Sequence, residues 1–290
     1  MLKKLMNKYE MPKFSISDVK GDNIFVLGIG GGSDVIGAYG FASTIQKLNP
    51  KAIINYGLCV SRKENYLGFK KINFSLYQHD NLQKSINNFH TSLELIQKMA
   101  EFNTDLPSPF LISRLPKYEK VSNKYHLTDF YLNLQSEFSN ALNHINPDLI
   151  IAIDMGGDSL TCGIEDENSF DRSGLRILKR IGKPFIYIVF GVGCDGESTT
   201  DMIVTALEKE HEAKALFGEF NLNDIVDLTR SMSKSILKDD RTPNIIANAI
   251  SSYQNSGDRM IVIPRHRKPQ IPLSWITKGV AFDGLKLSIE

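Results

Sequence analysis

The feature that most limits the fold is the run Ile24-Phe25-Val26-Leu27 passing directly into Gly28-Ile29-Gly30-Gly31-Gly32-Ser33-Asp34. A continuous apolar run leaves no polar side for water, so it reads as a strand from Asn23 to Leu27, covered on both faces. The glycines let the chain turn sharply and approach another group closely. Val35 to Leu48 then reads as a helix, and Lys51 to Val60 as a second strand. A strand–loop–helix–strand unit predicts a parallel sheet.

The layout recurs twice. Asp148 to Asp154 ends in Met155-Gly156-Gly157-Asp158-Ser159-Leu160, and Pro184 to Phe190 ends in Gly191-Val192-Gly193-Cys194-Asp195-Gly196-Glu197. Phe170 to Ile181 fits a crossover helix stopped by Gly182. Helical periodicity marks Asn81–Glu101 and Asp129–Ile145, and a further helix is expected over Thr200–Leu216. Shorter strands are expected at Phe110–Ile112 and Met260–Pro264. The predicted fold is α/β: a Rossmann-like open, mostly parallel sheet flanked by helices, with a ligand site at the carboxyl ends of the strands. Residues 1–290 read as a single α/β domain, within which 218–290 could form a smaller C-terminal section.

Composition narrows the function classes. Lys and Arg number 34 against 33 Asp and Glu, a formal charge of +1. That balance argues against bulk phosphate neutralisation, and so against a nucleic-acid partner. No stretch reaches the roughly 18 consecutive apolar residues of a membrane helix, so no membrane partner is expected. The basic start, Met1 to Glu10, has no apolar run behind it, so no classical signal is read. Cys59, Cys162 and Cys194 form no zinc-type pattern and fit a reducing, cytoplasmic setting, with specialised secretion left open.

The chemistry should sit in the three glycine loops, since each follows a strand and the loops therefore converge on one edge. In the first, Gly28, Gly30, Gly31, Gly32, Ser33 and Asp34 can cradle an anion at a helix N-terminus. Gly28, Gly30 and Ser33 fit G-x-G-x-x-S, an imperfect dinucleotide pattern. No acid ends the second strand, and no Gly-Lys-Ser/Thr of a P-loop follows. Gly156 and Gly157 in the second loop, and Gly193 and Gly196 in the third, extend the ligand surface. Asp158, Asp195 and Glu197 are the candidate catalytic acids and bases. Asp154, Asp158 and Asp195 are the candidate metal ligands, and an all-oxygen set favours Mg²⁺ or Mn²⁺. Glu165 and Asp166 lie just beyond. The same carboxylates could instead cap helices and tie loops by accepting backbone N–H bonds. Cys194 is a weaker candidate, as a nucleophile with no evident base. The basic run Pro264-Arg265-His266-Arg267-Lys268-Pro269 could face a phosphate or be an ordinary solvated cluster.

Taken in order, Gly28 to Ala38, then Asp154 to Leu160 with Gly163 and Glu165, then Gly193 to Glu197, the motifs resemble the family of unknown function DUF1152. The resemblance implies that the three loops act as a unit, and supplies no reaction. This chain has Asn168-Ser169-Phe170-Asp171 where the family pattern carries a Ser-Pro pair. The Asp/Gly-rich loop alone is also similar to metal-dependent lyases of the glutamate cyclase type.

Three readings follow. The leading one is an enzyme acting on a small anionic, phosphorylated or nucleotide-like substrate, through metal-assisted hydrolysis or lyase chemistry. The second is a non-catalytic nucleotide-binding module for an NAD- or ADP-ribose-type ligand. The third is a structural or interaction protein whose loops are only tight turns. Oligomeric state is left open, a homo-oligomer included.

Overall fold

The computed structural model describes residues 11–62, 66, 68–80, 91–101, 106–115, 126–164, 169–225, 228 and 241–289. A nine-stranded sheet runs through it. Its elements in chain order are β1 (Asn23–Gly28), α1 (Asp34–Leu48), β2 (Ile53–Ser61), β3 (Phe69–Lys71), β4 (Leu76–His79), α2 (Thr91–Glu101), β5 (Phe110–Arg114) and α3 (Leu127–Ile145). There follow β6 (Leu149–Met155), α4 (Asp158–Thr161), α5 (Phe170–Ile181), β7 (Phe185–Phe190), α6 (Thr200–Glu212), β8 (Leu216–Asn221) and α7 (Thr242–Ser256). The chain ends with β9 (Met260–Val262), β10 (Gln270–Pro272), α8 (Leu273–Ile276) and β11 (Lys278–Asp283).

The strand order is β3-β4-β5-β2-β1-β6-β7-β11-β8. Its centre, β5-β2-β1-β6-β7, is parallel throughout. Both flanks are antiparallel: β3 and β4 on one side, β11 and β8 on the other. The structure is thus a mixed, mostly parallel sheet flanked by helices, as the strand patterns predicted. Its central strands are apolar because each is covered on both faces: Ile24 to Leu27 and Ile150 to Ile153 are all buried.

From β1 the chain builds outward to β2 and β5, then returns to the other side of β1 with β6 and continues to β7. Strand order therefore reverses between β1 and β6. In open α/β sheets the crevice outside the carboxyl ends at such a reversal is where ligands bind, because the two flanking loops diverge there. Here those loops are Ile29–Ser33 and Gly156–Gly157.

Element boundaries shift at several places. The helix expected over Thr200–Leu216 ends at Glu212, and Leu216 begins β8, where pairing with β11 outweighs helical periodicity. Met260–Pro264 contributes a strand outside the main sheet, with β9 paired to β10 alone. The helix α7, rich in Asn and Ser that compete with helical hydrogen bonds, was not anticipated. Neither was β11, which lies between β7 and β8. Residues 81–90 of the expected Asn81–Glu101 helix lie outside the described residues. No helix among the described residues is long and apolar enough to cross a membrane.

Close packing fixes α1 against the central strands. A Cβ on Gly37 would lie 2.8 Å from Ile153 Cγ2 and 3.3 Å from Met155 Cγ. Overfilling such a contact typically costs 1–3 kcal/mol. Gly37→Val should therefore lower stability to urea by about 2 kcal/mol, with no change in the slope of the transition. An unaffected midpoint would show that α1 seats more loosely on β6 than described.

Candidate functional site

The three glycine loops meet, and backbone bonds hold them together. The Ile29 N–H donates to the Ile153 carbonyl (3.1 Å), continuing the β1–β6 pairing past the strand end. The Gly156 N–H donates to Phe190 O (3.0 Å) and the Gly193 N–H to Gly156 O (2.7 Å), joining the second loop to the third. Glycine is required where carboxylates lie against the backbone. Gly30 leaves no space for a Cβ beneath the Asp171 carboxylate, and Gly156 leaves none beneath Asp195. Gly156 and Gly157 also hold positive φ, 123° and 93°.

Asp34 is buried at the start of α1, but it does not cap its own helix. Oδ2 accepts from the Gly30 N–H (2.7 Å), and Oδ1 accepts from the Met155 N–H (3.0 Å). One carboxylate thus spans the crevice between the β1 loop and the end of β6. Ser33 stands at the cap position without a side-chain cap bond. Asp154, at the end of β6 and 1% exposed, accepts from the Gly157 N–H (3.1 Å), the Ser159 N–H (3.3 Å), the Ser159 hydroxyl and the Tyr187 hydroxyl (2.8 Å). The bonds that a structural reading anticipates are therefore made by both residues.

These two acids have a third companion. Oxygens of Asp34, Asp154 and Asp171 all lie within 4.8 Å of one another. Asp171 comes from the first turn of α5, which is docked by a buried arginine. Arg114 is fully buried, donates to Ser173 Oγ (3.2 Å) and the Phe170 carbonyl, and lies 3.4 Å above the Phe170 ring. Gly174 makes room for that guanidinium. Arg172 ties the same turn to α4 through the Ser159 (2.9 Å) and Leu160 (3.1 Å) carbonyls.

Of the three residues expected to hold metal, Asp154 alone belongs to this close cluster. Asp158, half-buried at the first position of α4, and Asp195, in the third loop, stand beside it. Their charges are felt across the site. Burial first, then Asp154 and Asp171, raises the Asp34 carboxyl well above the usual carboxylate range. Burial, then Asp171, Asp154, Asp195 and Glu197, does the same for Asp158. Asp195 is pushed up to about 7, chiefly by burial, with Asp154 and Glu197 adding to it and the Glu197 N–H and Arg265 opposing. Asp195 Oδ1 accepts that Glu197 N–H (2.8 Å), while the buried Oδ2 has no hydrogen-bond partner.

The remaining candidates divide. Among the described residues, the N–H groups of Gly31, Gly32 and Ser33 make no protein hydrogen bond, and a Cβ on Gly31 would meet nothing within 4 Å. Glu197 is half-buried, with Oε1 3.6 Å from His266 Nε2. Gly193 and Gly196 shape the third loop at positive φ. Cys194 is fully buried, and burial and Asp195 hold its thiol well above its ordinary range, so it stays protonated and shielded. Glu165 and Asp166 lie outside the described residues.

Asp171 was missed in the sequence because an acid in a helix's first turn reads as an ordinary dipole partner. A signal was present nonetheless: a crossover helix begins at the carboxyl edge of the strand before it, so its first-turn acids face the ligand edge.

Comparison with known proteins gives a family match over part of the chain. Residues 122–244 match the model of the family described as protein of unknown function (DUF1152). The DUF1152 match takes in the second and third loops and α5. It leaves the Gly28–Ala38 loop outside. A solved structure of UDP-GlcNAc 2-epimerase from Neisseria meningitidis bound to UDP-GlcNAc aligns with a TM-score of 0.29 and 10% identity, over 80% of this chain and 50% of that one. This chain therefore spans half the length of that protein. No curated protein matches.

The raised carboxyls carry a sign for stability. Between the ordinary carboxylate range near 4 and about 7, the folded state keeps protons on Asp195 that the unfolded chain releases. Stability must then fall as pH rises through that window. Without divalent cations, the melting temperature should drop from pH 5.5 to 8, and Asp195→Asn should flatten the drop. A melting temperature that climbs over this range would contradict the burial of these acids.

Proposed function

We propose that this chain binds a phosphorylated, nucleotide-like small molecule together with a divalent cation at the β1–β6 crevice, and hydrolyses it. One observation supports this above the others: three carboxylates from three separate segments converge where the sheet order reverses, beside a glycine turn with free N–H groups. Three acids this close repel strongly in a buried setting unless protons or a cation compensate them.

The donor set suits a hard cation. Mg²⁺ holds oxygens at 2.0–2.1 Å, so any two of its ligands lie no more than about 4.2 Å apart. Oxygens grouped within 4.8 Å need only small adjustment to reach that spacing. Asp34, Asp154 and Asp171 would hold Mg²⁺ or Mn²⁺, and such an ion, when bound, would polarise a phosphoryl oxygen and favour ionised water. The protein's own groups supply the rest. The Gly31, Gly32 and Ser33 N–H groups, at the positive end of the α1 dipole, receive an anionic oxygen. Asp195, close to neutral in its proton affinity and with Oδ2 free, takes a proton as general base. Asp158, whose carboxyl burial and then its neighbouring acids raise well above the usual range, donates one.

Binding without turnover is the second reading. It is favoured by the deep burial of Asp34, Asp154 and Asp195, each no more than 5% exposed. Acids so enclosed reach a substrate only if it enters the crevice.

Asp171→Asn tests the cation, because Asp171 is the cluster member least enclosed by the fold. Calorimetric titration should show Mg²⁺ and Mn²⁺ affinity falling by roughly a hundredfold, while stability changes by no more than about 1 kcal/mol. If wild type and variant bind the metals equally, the cluster is not a cation site. Phosphate release from a panel of nucleoside polyphosphates and sugar phosphates then separates the two readings. Asp195→Asn should slow any such turnover by about 10²–10⁴-fold, whereas binding alone leaves nothing to slow.

Gly31→Ala addresses the anion. The added methyl enters open space, so the melting temperature should not move, yet nucleotide binding should weaken because the methyl occupies the approach to the free N–H groups. Unaltered nucleotide affinity would remove loop 1 from the ligand site.

A further inference from the structure

The basic run Pro264 to Pro269 takes no part in the cation cluster, yet it is built against the same loops. The Arg267 N–H donates to the Gly196 carbonyl (2.9 Å). A Cβ on Gly196 would lie 2.6 Å from the Arg265 carbonyl oxygen, so that glycine lets the two segments meet. Arg267 Nη2 reaches the Gly163 carbonyl (3.4 Å), drawing in the second loop. His266 Nε2 lies 3.6 Å from Glu197 Oε1 and 3.3 Å from Arg265 Nη2.

Two features set this run apart from a solvated patch. His266 and Lys268 both hold left-handed backbone, φ 44° and 49°. Residues other than glycine keep that conformation only where the surroundings enforce it, and such strain concentrates at ligand clamps. Second, neither Arg265 nor Arg267 has a carboxylate ion-pair partner among the described residues. Arg265 touches the Thr242 hydroxyl at 3.5 Å and acts on Asp195 only through space. Two guanidiniums without a carboxylate ion pair among the described residues are thus held on a fixed backbone against the second and third loops, with Arg265 in electrostatic reach of Asp195.

We propose that Arg265 and Arg267 form an anion subsite beside the second and third loops, gripping a phosphate-type oxyanion of the ligand next to Asp195. The proposal rests on the cation-and-phosphate reading above. A guanidinium presents paired N–H donors that match two oxygens of a phosphate, which an ammonium cannot do. The division of charge, two arginines on the third loop and three carboxylates at the β1–β6 reversal, suits a ligand that offers one oxyanion to arginine and another to a metal.

The test is calorimetric titration of inorganic pyrophosphate into the full chain in the presence of Mg²⁺. The wild type, Arg265→Gln/Arg267→Gln and Arg265→Lys/Arg267→Lys are compared, and Mg²⁺ alone is titrated into each. The Gln pair should bind pyrophosphate at least tenfold more weakly, the Lys pair should fall between it and wild type, and Mg²⁺ affinity should stay the same in all three. If the Gln pair fails to fold, Arg267→Gln alone, on an exposed side chain, carries the comparison. Equal pyrophosphate affinity in wild type and the Gln variant overturns the subsite and leaves the cation cluster standing. So does a wild type that binds Mg²⁺ but no pyrophosphate. A chain that binds neither overturns both.

Discussion

The Asp34 carboxylate, shared between the N–H groups of Gly30 and Met155, is the interaction on which the site depends. It clamps the first loop to the end of β6 at the point where the sheet order reverses, by accepting one N–H on each oxygen. The same choice has a cost, because the bridging oxygens lie close to Asp154 and Asp171. Asn or Ser would offer a single acceptor oxygen, so only a carboxylate takes one N–H on each of two oxygens here. A carboxylate there adds charge to a place already crowded with it, and that excess is what makes the crevice a candidate for a cation.

Support for the cluster comes from behind. Arg114, buried on β5, seats the first turn of α5 through Phe170 and Ser173, and so sets the position from which Asp171 enters. Tyr187 and Ser159 hold Asp154 from β7 and α4. Four segments distant in sequence therefore determine one group of oxygens. On the other side, antiparallel β11 continues the sheet from β7, and the segment leading to it carries Arg265 and Arg267 to the third loop.

Much of this was legible in the residues. Apolar runs named β1, β6 and β7, and the glycine turns after them were expected together at one edge, because a parallel sheet places all such turns on one side. Gly30 and Gly156 are glycine for a reason no single-sequence pattern reveals, namely the carboxylates lying on them. Asp171 and Arg114 were hidden differently. One looked like a favourable helix-start acid and the other lay in a loop two residues past a short expected strand, and only long-range packing gives either a role. The extent of α6 and the place of β9 were misjudged because strand pairing partners, not local periodicity, decided them.

By itself, then, the sequence determined the class of fold and the one edge of the sheet that the three glycine turns share. Both follow from local constraints: period, apolar runs and the turns that glycine allows. Tertiary structure alone decided which acids gather. Strand order brought β6 beside β1, helix seating brought Asp171 in, and the return of the C-terminal segment set two arginines against the third loop. Distances between side chains from distant segments depend on how elements pack, and packing is a property of the whole chain rather than of any stretch of it.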